Sequence, residues 1–123
     1  MLSAHFAAVL YVTGVITAAP LLMFVAFKPG LKALFHLEIA DEAGRFFTRH
    51  WAMLCGVIGG LLVYAGAHPE VRTAIVLAAW VEKAVLVVMI GLNWDRPFTR
   101  GMRLTAVFDG ACAALYAVWL LLQ

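Results

Sequence analysis

Four apolar stretches, at residues 6–27, 51–67, 71–92 and 104–122, constrain this chain more than any motif does. Each is about 17 to 22 residues long, and at 1.5 Å per residue a helix of that length matches the roughly 30 Å hydrocarbon layer of a bilayer. A β reading does not compete, because the runs are too long for strands. The expectation is four transmembrane helices. Composition agrees, since 65% of the 123 residues are hydrophobic and 13% charged, about half the charged share of a soluble domain. Lipid is the expected solvent for most of the surface.

Charge then supplies an orientation. Lys28, Lys32, Arg45 and Arg49 lie between the first and second stretches, and Arg96, Arg100 and Arg103 between the third and fourth. The opposite side carries only Arg72. Seven cations against one is a strong positive-inside bias, which assigns both basic connections to the cytoplasm and both termini to the other face. In a bacterial inner membrane that other face is the periplasm. The net charge of +2 and the dispersed basic residues argue against a nucleic-acid partner. Residues 6–27 read as a permanent helix rather than a secretory leader, because no Lys or Arg precedes them. Pro20 is expected to kink this helix near its far end.

The first connection is long enough for structure of its own. Phe35, Ile39, Ala43, Phe46 and Phe47 recur at three- and four-residue steps, while Glu38, Asp41, Glu42, Arg45 and Arg49 fill the other face. That pattern predicts an amphipathic helix over about 31–48, starting after a Pro29-Gly30 break and lying in the membrane interface. Asp41 and Arg45 form an i,i+4 pair in this reading. The same helix is a potential docking face for a partner or for anionic lipid. The expected architecture is a single all-α membrane domain, a four-transmembrane-helix bundle with an interfacial helix between the first two spans.

Three ionisable residues fall deep inside apolar stretches: Glu82, Lys83 and Asp109. An unpaired charge at the bilayer centre costs at least about 2.5 to 3.5 kcal/mol, so these side chains should face protein. Counting from a turn centred on Arg96, Lys83 lies 13 residues before and Asp109 13 after, which sets them at similar depth. Glu82 and Lys83 are separated by about 100° around the helix and cannot share a partner. Lys83 with Asp109 is the expected pair, and Glu82 is left aimed elsewhere. One reading is purely structural, with the pair locking two helices in register. The other makes Glu82 a proton- or cation-exchanging group whose affinity the pair tunes.

Small residues form two rows suited to close helix approach: Ala52, Gly56 and Gly60 on the second span, and Gly110 and Ala114 on the fourth. Cys55 and Cys112 form neither CxxC nor a metal-ligand spacing and read as packing residues. His5 and His68 fall near one membrane boundary, His36 and His50 near the other. They are the only candidates for haem or pigment ligation, a minor alternative to no cofactor at all. The chain has a single serine, Ser3, and neither a nucleophile elbow, a zinc-protease motif nor a phosphate loop. Two functions survive: a non-enzymatic accessory or scaffold subunit that contacts other membrane subunits or self-associates, and a small oligomeric transporter or binding protein centred on Glu82.

Overall fold

The computed structural model describes residues 2–123. Among them there is no β-strand, and four helical segments are long and apolar enough to cross a membrane: Ala4–Val25, Glu42–Ala67, Pro69–Leu92 and Pro97–Leu121. The chain is an all-α membrane protein. It forms two compact units, one running to Pro69 and the other comprising Glu70–Gln123.

The first unit holds α1 (Leu2–Thr17), α2 (Leu21–Val25), α3 (Phe27–Phe35) and α4 (Glu42–Ala67). The break between α1 and α2 follows from Pro20, which has no N–H to donate to Ile16. The Ile16 carbonyl accepts instead from Ala19 at 3.1 Å, and Leu21, Leu22 and Met23 each donate three residues back at 2.8–3.1 Å. The proline therefore tightens the backbone into a 3₁₀-like turn and divides the first span into two helices.

α1 packs on α4 through glycine. A Cβ on Gly59 would stand 2.5 Å from the Gly14 carbonyl oxygen, and one on Gly14 would stand 2.8 Å from that of Gly59. The two backbones touch where neither residue has a side chain, the arrangement that replaces the hydrophobic effect between helices in lipid. Gly66 serves the Tyr11 ring in the same way, with a would-be contact of 2.7 Å.

The predicted helix over about 31–48 is not one helix. α3 begins earlier, at Phe27, because Pro29 sits in its first turn, where the missing N–H has no partner to lose. It ends at Phe35, with His36 in the left-handed region at φ 53°. Asp41 then caps α4, its Oδ2 accepting from the Gly44 N–H at 2.7 Å. A short carboxylate that satisfies a helix-start donor competes with helix continuation, and here it wins. Asp41 is therefore a cap, in place of the expected i,i+4 pairing with Arg45. Phe46 and Phe47, assigned to an interfacial apolar face, lie in the first turns of α4, 68% and 69% exposed, with their rings edge to face at 5.3 Å. The 26 residues of α4 span about 39 Å, longer than the hydrocarbon layer, so its polar first turns extend beyond the apolar 51–67.

Two contacts close this end of the unit. The Phe35 ring lies 5.8 Å from that of Trp51. Arg49 donates to the Phe24 carbonyl at 2.9 Å and lies over the Phe24 ring, so an α4 side chain satisfies an acceptor that α2 leaves open.

The second unit is a pair of helices, α5 (Arg72–Leu92) and α6 (Arg103–Leu121), joined by a 3₁₀ segment, Pro97–Met102. Thr99, 2% exposed, organises the turn, its Oγ1 lying 2.6 Å from the Asn93 carbonyl, 2.9 Å from that of Arg96 and 3.2 Å from that of Trp94. Arg103 donates to the Trp94 carbonyl at 2.9 Å and stacks on its indole at 4.7 Å. These contacts fix how α6 leaves α5.

Candidate functional site

On α5 the buried residues are Arg72, Val76, Ala79, Lys83 and Ile90; on α6 they are Ala106, Asp109, Cys112, Tyr116 and Trp119. Both sets recur at steps of three, four or, from Lys83 to Ile90, seven residues, so each defines one face of its helix, and α5 packs on α6. Lys83 and Asp109 are the charged residues near the middle of these two faces. The Lys83 Nζ lies 3.0 Å from Asp109 Oδ1, with the two side chains 1% and 6% exposed. The ammonium also lies 5.2 Å above the centre of the Phe108 ring, whose negative face attracts it. An antiparallel register drawn outward from this pair in equal steps sets Val76 level with Tyr116 and Ala79 close to Cys112, alternating large with small.

Glu82 precedes Lys83 and points about 100° away from it. Its residue is half-buried, and its Oε2 is buried with no hydrogen-bond partner among the described residues. The three charges therefore divide into a joined pair and a carboxylate with an unsatisfied oxygen. An orphaned polar atom in an apolar setting costs on the order of 1–3 kcal/mol, more when charged.

The small-residue rows are placed differently from one another. Ala52 is fully buried and a Cβ on Gly56 would meet Leu21 at 2.9 Å, but Gly60 is exposed and a Cβ there meets nothing within 4 Å. The close contact runs through Gly59, one position earlier. GxxxG spacing identified the helix and missed the angle, because a one-residue step rotates a side chain by about 100°. On α6, a Cβ on Gly110 likewise meets nothing within 4 Å, and Ala114 is exposed, so this row faces away from α5.

The histidines are scattered among different roles. His36 is the left-handed cap of α3, and His50 is exposed on α4. His68 ends α4, its Nδ1 2.9 Å from the Tyr64 carbonyl, to which it donates, and its ring stacked on Tyr64 at 3.9 Å. His5 is exposed on α1. Among the described residues no three His, Cys, Asp or Glu side chains cluster as metal ligands would. Cys55 and Cys112 are each buried on the inner face of their own helices, α4 and α6.

Two features escaped sequence reasoning. Arg72, counted only as the one cation on the side opposite the basic connections, is 4% exposed and lies on the α5 face that carries Lys83; the four-residue steps from Arg72 to Val76 and from Ala79 to Lys83 were the available signal. The second is a basic groove beside α3, which depends on the α3–α4 break that the periodicity concealed. Comparison with protein-family models, with curated proteins and with solved structures finds no match to this chain.

Proposed function

We propose that this protein is a non-enzymatic accessory subunit of a larger membrane assembly, and that Glu82 is its polar contact to a partner helix. The observation that carries this reading is the half-buried Glu82, a carboxylate that lies outside the Lys83–Asp109 pair and forms no ion pair among the described residues. In a bilayer a donor on another transmembrane helix satisfies such a carboxylate. The outward Gly110 and Ala114 row offers a surface for close approach by a helix. The basic connections favour a bacterial inner-membrane orientation with both termini periplasmic. Labelling of a cysteine introduced at Gln123, in a background lacking Cys55 and Cys112, then occurs from the outer face.

A second reading is favoured by charge balance. Lys83 and Asp109 neutralise each other at 3.0 Å, leaving Glu82 as a surplus carboxylate able to exchange a proton or cation. Purification from native membranes in mild detergent separates the two. The subunit reading expects a stoichiometric partner that Glu82→Gln or Glu82→Leu weakens. A homogeneous monomer or homodimer refutes it. The transporter reading expects Glu82→Gln to abolish ion flux in vesicles while insertion stays intact, and wild-type flux in that variant refutes it.

A further inference from the structure

We propose that the groove between α3 and the start of α4 binds a phospholipid with an anionic headgroup. Its inner part is a cavity of about 400 Å³ in which Lys28, Lys32 and Arg45 surround an apolar wall of Phe27, Leu31 and Ile39. A wider groove shares Lys28 and Arg45 and adds Arg49 and His50, with Phe24 and Phe46 as its apolar side. Cationic donors and aromatic surface therefore line one continuous concavity.

Three observations identify the occupant. The first is uncompensated charge. Glu38 lines the inner cavity and Glu42 the outer, so four cations face two carboxylates, yet none of Lys28, Lys32, Arg45 and Arg49 has a carboxylate partner among the described residues. Asp41, which caps α4, lines neither cavity. The second is position. Lys28 follows the end of the first apolar segment at Val25 by three residues, and Arg45 and Arg49 precede the apolar part of α4, so the groove opens at the boundary between hydrocarbon and headgroups. The third is the adjoining surface, where Phe24, Val25 and Phe46 are exposed and suited to acyl chains. Ammonium and guanidinium donors suit phosphodiester oxygens, and Arg49 retains donors beyond the one given to Phe24. Basic pockets at this level of helical membrane proteins are suited to anionic headgroups.

The test uses the full chain in neutral detergent and measures lipid binding by native mass spectrometry and by thermal shift. Phosphatidylglycerol is titrated against phosphatidylcholine with the same acyl chains. The expected result is preferential binding and stabilisation by phosphatidylglycerol. Each cation removed lowers affinity about fivefold, so Lys28→Gln, Lys32→Gln and Arg45→Gln combined lower it about a hundredfold. Arg96→Gln with Arg100→Gln, on the other connection, leaves binding at this groove intact. Because the Lys28 and Lys32 side chains are exposed, the double variant of these two alone keeps the fold and tests the site with about a 25-fold loss. Equal response to both lipids, or unchanged binding in the triple variant, overturns the proposal. So does full stabilisation by inorganic phosphate alone, which assigns the site to a free anion. A protein partner lost in the triple variant, without any lipid response, also overturns it.

Discussion

Removing the carboxylate of Asp109 is the sharpest perturbation of the second unit. At 3.0 Å and an effective dielectric of about 20, its attraction to Lys83 is about 5.5 kcal/mol. Against this stands a desolvation cost of several kcal/mol for each ion, so the net contribution of the pair is near zero. The two terms separate on mutation. Asp109→Asn preserves size but leaves the Lys83 ammonium buried without its counter-ion, and the expected loss is about 3–5 kcal/mol. Lys83→Met with Asp109→Leu removes both charges from a site already walled by apolar side chains, and is expected within about 1 kcal/mol of wild type or more stable. Reversible unfolding in mixed micelles, followed by circular dichroism for wild type, Asp109→Asn and the double variant, reads out the difference. A single variant within about 1 kcal/mol of wild type refutes the reasoning, as does a double variant no better than Asp109→Asn.

Three further outcomes are expected from the same unfolding assay. Gly59→Ala forces apart the α1 and α4 backbones and lowers stability by about 1–3 kcal/mol, whereas Gly60→Ala, facing open space, changes it by under about 0.5 kcal/mol; equal effects contradict the rotation assigned to α4. His36→Gly relieves a left-handed residue and raises stability by about 0.5–1 kcal/mol, a gain that Ala at the same position does not reproduce. Thr99→Val deletes the hydroxyl that holds the α5–α6 turn and costs about 1–3 kcal/mol, while Thr99→Ser retains most of the stability.

The depth count that paired Lys83 with Asp109 was legible because an antiparallel helix pair with a short turn is nearly one-dimensional: equal steps from Arg96 give equal depth, and 1.5 Å per residue leaves little room for error. The azimuth was harder to read. Gly56 and Gly60 formed the motif, but Gly59 makes the contact, because spacing along a helix does not say which of several small-residue faces meets a neighbour. The segment 31–48 misled for a different reason. Its periodicity is genuine on both sides of residues 36–41, yet a local competition between helix continuation and the Asp41 cap divides it, and periodicity carries no information about that competition.

The sequence by itself determined the solvent and the number of spans. Hydrocarbon thickness admits only helices of that length, and the cost of burying an unpaired charge required Lys83 and Asp109 to turn inward. The orientation proposed for the connections comes from the same source. Tertiary structure alone decided which face of each helix is covered, that Arg72 is buried on the α5 face, that Asp41 caps rather than pairs, and that four basic residues converge on one groove. Those outcomes depend on rotation about helix axes and on backbone turns of a few residues. Competing arrangements there differ by about 1–2 kcal/mol in capping and packing, far less than the transfer energies that govern insertion.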